Sequence, residues 1–241
     1  MSVPDVVLLR SPDDPDPYLD AFADAGRSAV CEPVLRFRFP HQDVLRECLR
    51  RADDYAALVA TSPRIGRALH QAFRTDPALR SRWKGRRAYA VGPKTGRWLR
   101  KLGLEVTGEH AGTAAALVDR IVSDAPEAPV LFLSGNRRRE TLPEGLRSGG
   151  IPFEEQVVYE THTRSTLDLP APSAGGWLVL FSPSGIEALS KAKVPVGAYR
   201  LAAIGPTTAG ALRDAGHTVA AVAQAPTPEA LVQAIRGAEG G

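Results

Sequence analysis

The sequence is poor in cysteine and contains no long apolar run. Its 241 residues include only 2 cysteines, Cys31 and Cys48, too few for a disulfide framework or a cysteine-based metal site. No stretch reaches the ~18 apolar residues of a membrane span, and residues 1–10 lack the basic start of a signal peptide. We therefore expect a cytoplasmic protein with reduced thiols and no membrane partner.

Charge of one sign is not in excess either. The 30 Lys and Arg residues nearly balance the 27 Asp and Glu residues, which leaves a net charge of +3, whereas a dedicated nucleic-acid-binding domain is usually more basic. Residues 81–87 are the densest basic stretch and include Trp83. Because they precede a predicted strand, we interpret them as a solvated face, with a nucleic-acid-associated regulator as the alternative.

Several catalytic signatures are missing as well. The chain has no Gly-x-Ser-x-Gly elbow, no Walker loop, no His-Glu-x-x-His motif and no dinucleotide fingerprint. Asp53 and Asp54 are adjacent, but a turn at a helix end explains them better than a metal pair does. The sequence therefore does not indicate a common hydrolase, a nucleotide-dependent enzyme or a zinc protease.

Short apolar runs alternate along the chain with amphipathic stretches. Runs that predict buried strands are residues 6–9, 57–60, 88–91, 130–133, 177–181 and 201–204. Between them, residues 114–122 and 228–235 have the apolar spacing of helices. Continuous apolar strands separated by helices are typical of parallel sheets covered on both faces.

The second half of the chain repeats motifs of the first in the same order. The matched segments are Thr61-Ser62-Pro63 with Phe181-Ser182-Pro183, Val91-Gly92-Pro93 with Ile204-Gly205-Pro206, 113–117 with 227–231 and, more weakly, 6–10 with 130–134. This order predicts two copies of one α/β unit.

The boundary between the copies has two interpretations. A simple division falls near residue 125. Alternatively, the alternating segments 34–39 and 157–163 are linker strands that pair antiparallel, so that the chain crosses between lobes twice. We expect the second arrangement, with one lobe built from 1–36 plus 164–241 and the other from 40–157.

Loops that follow predicted strands resemble anion sites. Ser62 and Ser182 lie where a serine can cap the next helix, and the Gly-Pro loops at 92–93 and 205–206 have threonines in the first helical turn. Helix N-termini beyond parallel strands bind anions. Each copy has two such loops, four in all, and together they indicate a polyanionic ligand in a cleft between the lobes.

Two further segments have both a structural and a functional interpretation. The arginine run 137–139 follows a predicted strand, so it is either a solvated face, with one arginine paired to Glu140, or a site for carboxylate or phosphate capture. Tyr159 lies in a predicted linker strand. Packing is its default role, and a phenol aimed into a cleft is the alternative because it could donate a proton.

Taken together, these motifs resemble those of the uroporphyrinogen-III synthase family over nearly the whole chain. Each segment is short, and the joint order and spacing make the likeness specific. The segments are Val6-Val7-Leu8-Leu9-Arg10, Asp16-Pro17-Tyr18, Pro33-Val34-Leu35 with Phe37 and Phe39, Asp54-Tyr55, Thr61-Ser62-Pro63-Arg64, Val91-Gly92 with Thr95, Gly135-Asn136, Arg139-Glu140 with Leu142-Pro143, Val158-Tyr159-Glu160-Thr161, Phe181-Ser182-Pro183-Ser184-Gly185 and Ala203-Ile204-Gly205-Pro206-Thr207-Thr208-Ala209.

The resemblance implies two flavodoxin-like lobes joined by a two-stranded antiparallel β-ladder. It implies that hydroxymethylbilane, a linear tetrapyrrole with eight carboxylates, loses water and closes through a spiro intermediate to uroporphyrinogen III with ring D inverted. It implies no metal, no organic cofactor and no nucleic acid. We expect a monomer, with transient contact to the preceding pathway enzyme. The alternative is a two-lobed binding protein for an acidic ligand, without catalysis.

The resemblance also implies roles for individual residues. Tyr159 is the candidate general acid for loss of the ring A hydroxyl, since a neutral phenol can donate a proton at pH 7. Pro93 stands where the family often has a small polar residue, and proline removes one N–H donor. The expected substrate contacts are Arg10, Thr61, Ser62, Arg64, Thr95, Gly135, Arg139, Ser182, Ser184, Thr207 and Thr208.

Overall fold

A computed structural model describes residues 3–170 and 175–240. The chain divides into two compact units, Met1–Arg36 with His162–Gly241 and Phe37–Thr161. We call the first the terminal unit and the second the middle unit. The chain passes between them twice, inside the segments 34–39 and 157–163.

The elements alternate between strands and helices along the chain. The strands are β1 (Val6–Leu9), β2 (Ala29–Cys31), β3 (Leu35–Arg38), β4 (Ala57–Ala60), β5 (Arg87–Ala90), β6 (Glu105–Thr107), β7 (Val130–Gly135), β8 (Phe153–Thr163), β9 (Trp177–Leu180), β10 (Arg200–Ala203) and β11 (Ala221–Val222). The helices are α1 (Pro17–Asp24), α2 (Gln42–Arg50), α3 (Pro63–Thr75), α4 (Pro77–Trp83), α5 (Pro93–Lys101), α6 (Ala114–Asp124), α7 (Thr141–Ser148), α8 (Pro183–Lys191), α9 (Pro206–Asp214) and α10 (Pro228–Glu239). Most of these helices begin with proline, whose fixed φ suits the first helical position.

The terminal unit contains a five-stranded sheet in the order β11-β10-β9-β1-β2. Its neighbouring strands pair in parallel. Numbered along the chain within the unit, this order is 2-1-3-4-5 from the β2 edge, the flavodoxin-like order. Ligands in such sheets bind beyond the carboxyl ends of the strands.

The middle unit has the sheet order β3-β8-β7-β4-β5-β6. Leaving out β3, the order β8-β7-β4-β5-β6 is again 2-1-3-4-5, provided that the numbering starts at β7. Strand β7 thus corresponds to β1, and β4 corresponds to β9. This shifted correspondence matches the repeats found in the sequence, and it is what an internal duplication with two chain crossings would produce.

Both faces of each sheet are buried, as continuous apolar strands require. In β1, Val6 and Leu8 pack against one helical layer with Phe22, while Val7 and Leu9 pack against the other. Successive side chains of a strand point to opposite faces. The middle unit has the same two-layered core on either side of its sheet.

The predicted element positions need small corrections. Strands β5 and β10 begin and end one residue earlier than the apolar runs 88–91 and 201–204, and β8 begins at Phe153 rather than at residue 157. The strand pairing, not the apolar pattern, sets these ends. No helix in the described part of the chain is both long and apolar enough to span a membrane.

Candidate functional site

A cavity of about 470 Å³ opens at the carboxyl edge of the middle-unit sheet. Its walls follow the ends of β4, β5 and β7, because parallel strands bring their carboxyl ends to one edge. Six residues predicted as site residues meet here. The lining consists of Thr61, Ser62, Arg64, Val91, Gly112, Thr113, Ala114, Phe132, Gly135, Arg137, Arg138, Arg139, Leu142 and Tyr159.

Two helices begin at this cavity. The Ser62 Oγ accepts a hydrogen bond from the Arg64 backbone N–H at 3.3 Å, and the Thr113 Oγ1 accepts one from the Ala116 N–H at 3.2 Å. Both caps therefore fix helix N-termini, whose partial positive charge attracts anions. Thr113 was not predicted as a site residue, although its place in the repeated segment 113–117 could have indicated it.

The arginines of the cavity differ in their partners. Arg138 bonds to Glu155 through Nε and through Nη2, the latter at 3.0 Å, and pairs with Glu140 as well. The buried Ser134 hydroxyl lies 2.7 Å from Glu155 and holds that carboxylate in place. The charge of Arg138 is thus balanced inside the protein, whereas Arg139 of the same loop is exposed to solvent.

Arg64 is held differently from the arginine run. Its guanidinium lies over the ring of Phe37, 3.8 Å from the ring centroid. Burial lowers the pKa of Arg64, and the like charge of Arg67 adds to the lowering, whereas an ionised Tyr159 would raise it. The cation is therefore fixed at the cavity wall in a partly desolvated position.

A β-bulge places Tyr159 at the cavity. Strand β8 runs parallel to β7, with Ser134 paired to Val157 but Gly135 paired to Tyr159, so the register shifts by one residue. Beyond the shift, the Asn136 N–H donates to the Tyr159 carbonyl at 3.1 Å, and the Asn136 Oδ1 accepts from the Thr161 N–H at 2.8 Å. The bulge re-aims the side chain, as bulges near functional sites commonly do.

The Tyr159 hydroxyl differs from the other tyrosine hydroxyls of the chain. Those donate to protein oxygens: Tyr18 to the Pro226 carbonyl (2.9 Å), Tyr55 to Glu154 (2.6 Å), Tyr89 to Asp124 (2.9 Å) and Tyr199 to the Pro170 carbonyl (2.7 Å). Burial raises the pKa of each of these four. Within residues 3–170 and 175–240, the Tyr159 hydroxyl makes no hydrogen bond, so it is available to a ligand.

The terminal unit has its own cavity, of about 330 Å³, beyond the ends of β9 and β10. Its lining is largely apolar and includes the predicted residues Ser182, Thr207 and Thr208. The full lining is Phe181, Ser182, Pro183, Ile204, Gly205, Pro206, Thr207, Thr208, Ala223, Gln224, Ala225 and Pro226. The two units thus have cavities at corresponding strand ends.

Ser182 does not cap helix α8, contrary to the prediction from its Ser-Pro loop. Its side chain makes no cap hydrogen bond. Instead, the Ser182 Oγ lies 2.6 Å from the Ser184 Oγ. The Ser182 hydroxyl therefore pairs with the Ser184 hydroxyl rather than with the backbone at the start of α8.

Three residues predicted as substrate contacts are buried or already paired within the protein. Thr95 and Thr208 are only 2% and 4% exposed, because the third residue of each helix faces the sheet. Arg10 donates to Asp16 at 2.7 Å and to Asp13 at 2.8 Å, so its charge is already neutralised. The burial pattern and the Asp partners follow from tertiary packing, which the local sequence does not reveal.

No group of three or more His, Cys, Asp or Glu side chains in the described ranges is placed to hold a metal ion. The N-termini of two helices, several arginines and the Tyr159 phenol lie together at the carboxyl edge of the middle-unit sheet. Fold and site together define a class: a two-unit, flavodoxin-like α/β protein with a site suited to acidic ligands.

The comparison with protein families narrows this class. A family model described as uroporphyrinogen-III synthase HemD matches residues 16–233. The chain belongs to the uroporphyrinogen-III synthase family, whose members are cyclising lyases of porphyrin biosynthesis.

Curated relatives and solved structures agree with that membership. Uroporphyrinogen-III synthase of Saccharomyces cerevisiae is 30% identical, over 95% of this chain and 94% of the yeast protein. The Schizosaccharomyces pombe enzyme is 29% identical, over 95% of each chain. A crystal structure of the Helicobacter pylori synthetase shares the fold with a TM-score of 0.63 at 20% identity, covering 96% of this chain and 97% of that one.

Proposed function

We propose that this protein catalyses the cyclisation of hydroxymethylbilane to uroporphyrinogen III, with loss of water and inversion of ring D. The observation that supports this most directly is the middle-unit cavity, where the Tyr159 hydroxyl lies beside two helix N-termini and several arginines. Among residues 3–170 and 175–240, this hydroxyl has no hydrogen-bond partner. Family membership does not favour the alternative of a binding protein without catalysis. We therefore assign the chemistry to the middle-unit cavity.

Substrate carboxylates are the natural ligands of this cavity. The N-termini of α3 and α6 lie at the cavity, and the positive ends of their helix dipoles favour a carboxylate there. Arg139 and Arg64 add positive charge. A volume of about 470 Å³ lies within the usual range for a small-molecule site, and we assign it to part of the tetrapyrrole rather than to the whole.

Tyr159 would act as general acid. Its proton would pass to the ring A hydroxyl, which departs as water and leaves a resonance-stabilised cation on the bilane. The substituted end of ring D then attacks that cation, and the spiro intermediate fragments and recloses. Because the bilane also closes unaided to the unrearranged isomer I, the main task of the protein is to hold ring D so that the spiro route is faster.

A single assay tests this function. The purified protein is mixed with freshly prepared hydroxymethylbilane, and the products are oxidised and separated into isomers I and III. We expect isomer III to predominate and its rate of formation to scale with protein concentration. Product identical to a protein-free blank would show that the chain is not a synthase.

Assembly and location remain predictions. We propose a monomer in the cytoplasm that makes transient contact with the preceding pathway enzyme. Sedimentation velocity at micromolar concentration would detect a dimer and so contradict the first part. Co-sedimentation with the bilane-forming enzyme tests the contact, and cell fractionation tests the compartment.

A further inference from the structure

Arg64 is rigidly held at the wall of the middle-unit cavity. It is the second residue of α3, and its backbone N–H is bound by the Ser62 cap at 3.3 Å. Its guanidinium lies over the face of Phe37 at 3.8 Å, where the ring quadrupole attracts a cation. Backbone and side chain are therefore both fixed before any ligand binds.

In the described part of the chain, Arg64 has no carboxylate partner of the kind that neutralises Arg138. Arg138 pairs with Glu155 and Glu140, whereas Arg64 makes no ion pair or hydrogen bond through its side chain within the described ranges. A partly buried cation without an anion is unfavourable. Such a group is well placed to stabilise a negative charge that forms only during the reaction.

Tyr159 is where that charge would form. It lines the same cavity as Arg64, and opposite charges attract, so a phenolate at Tyr159 would be stabilised by the fixed Arg64 cation. We propose that Arg64 is a positioning residue that stabilises the phenolate left when Tyr159 gives its proton to the departing hydroxyl. This inference rests on the proposed function and deepens it.

The step balances in atoms and charge. The bond between the ring A methylene carbon and its hydroxyl oxygen breaks, and the electron pair leaves with the oxygen. That oxygen takes the Tyr159 proton and departs as water, so that a substrate cation and a phenolate remain. The phenolate regains a proton when the carbon that forms the new ring bond loses its hydrogen as a proton, which restores Tyr159 for the next turnover.

Other charged groups lie near Arg64 or line the cavity, so their effects must be distinguished from the effect of Arg64. Arg67 lies on the same helix and acts on Arg64, while Arg137, Arg138 and Arg139 lie on the loop after β7. Arg138 is balanced by its two glutamates. Arg139 is therefore the informative comparison, because it lines the cavity, is exposed, and carries the same charge on another wall.

The first experiment uses tyrosinate absorbance and needs no activity. The transition of Tyr159 is the part of the alkaline titration curve that Tyr159→Phe removes. We expect Arg64→Gln to move that transition up by roughly one pH unit, since an opposite charge nearby favours the ionised form by one unit or more. Arg64→Lys should move it less, and Arg139→Gln should leave it in place.

A Tyr159 transition that does not move in a folded Arg64→Gln protein would overturn the proposal. Circular dichroism of each variant establishes that it is folded. Phe37→Leu is a second route if Arg64→Gln does not fold, because it removes the ring that fixes the guanidinium and leaves the charge. It should shift the same transition in the same direction, and by a smaller amount.

The second experiment asks whether the coupling matters for turnover. We expect Arg64→Gln to lower kcat by roughly tenfold in the wild-type background, which corresponds to one pKa unit, and to have no further effect in Tyr159→Phe. Equal losses in both backgrounds, or a raised KM with kcat unchanged, would assign Arg64 to carboxylate binding instead. If Tyr159→Phe alone retains full kcat and still yields isomer III, the phenolate role fails while the synthase function stands.

Discussion

Gly135 and Tyr159 face each other across the parallel strands β7 and β8, one residue past the point where the register shifts. The tyrosine ring lies so close to the glycine that a Cβ at position 135 would be 2.6 Å from the phenolic oxygen. Real Cβ atoms do not approach other heavy atoms so closely. The absence of a side chain at 135 therefore gives the phenol its place at the cavity.

Gly135→Ala should displace the Tyr159 ring without unfolding the protein. We expect turnover of hydroxymethylbilane to fall by roughly 10- to 100-fold, because displacements of about 1 Å at reacting groups have effects of that size. Initial rates of isomer III formation, with circular dichroism to verify the fold, measure this. Gly237→Ala is the matched control, since a Cβ there meets nothing within 4 Å and should leave the rate unchanged. Full activity in Gly135→Ala would mean that the position of the phenol is unimportant.

Alanine substitutions in the two Ser-Pro loops should differ in their effects on the free energy of unfolding. Ser62→Ala removes a real cap and should lower the free energy of unfolding by about 1 kcal/mol. Ser182→Ala removes no cap, so its thermal midpoint should lie closer to that of the wild type. Calorimetry on both variants makes the comparison.

Ser62→Ala and Ser182→Ala also test whether substrate binding is distributed over several hydrogen-bond donors. If each helix start contributes an ordinary hydrogen bond of about 0.5–1.5 kcal/mol, each variant should change kcat/KM by no more than roughly tenfold. Complete loss of activity in a folded Ser182→Ala protein would contradict this distributed binding.

The layered α/β fold could be predicted because the apolar runs that form β1, β4, β7 and β9 are buried on both faces and so are continuous in the sequence. The short strands β2, β6 and β11 were not predicted. They have two or three residues each and contain polar or exposed positions, so no apolar run marks them. Strand pairing, a tertiary property, creates these elements.

The sequence indicates which residues lie at the ends of strands, but it does not indicate which of them packing buries or pairs. Thr61, Gly135 and Tyr159 line the middle-unit cavity, and their places at loops and strand ends can be predicted from the sequence. The burial of Thr95 depends on which helical face meets the sheet. The neutralisation of Arg10 depends on a loop that brings Asp16 back to it, six residues along the chain, and neither the loop nor the bulge at Tyr159 follows from a local pattern.

The Arg10–Asp16 pair predicts a loss of stability in acid. Burial alone would raise the pKa of Asp16, but hydrogen bonds from the Asp13 and Leu19 backbone and the bond and charge of Arg10 outweigh it, so its pKa lies below the usual value of 3.8. A group with a lowered folded-state pKa stabilises the fold above its unfolded pKa, and this stabilisation is lost as the pH falls through the folded one.

Asp16→Asn should therefore flatten the dependence of stability on pH in acid. Asparagine can still cap α1, so the variant keeps the neutral bonds and loses the charge. At pH 7 we expect it to be less stable by about 1.5–3 kcal/mol, the usual contribution of a hydrogen bond to a charged group, and the difference should shrink as the pH falls below 4. Thermal midpoints of both proteins between pH 7 and pH 3 measure this, and a constant difference would assign the effect to packing.

Tyr159→Phe is the most direct test of the acid. The substitution keeps the ring beside Gly135 and removes only a hydroxyl that has no partner in the described part of the chain, so stability should hardly change. General acid catalysis contributes about 10²–10⁴-fold in typical enzymes, and we expect the lower end or less, because the ring A hydroxyl departs readily. The product should remain mostly isomer III, since cavity shape, not the acid, sets the spiro geometry. Turnover and isomer ratio are measured together across pH. Unchanged turnover with an unchanged pH profile would return Tyr159 to a packing role, whereas sustained turnover with a switch to isomer I would make it a guide of substrate conformation.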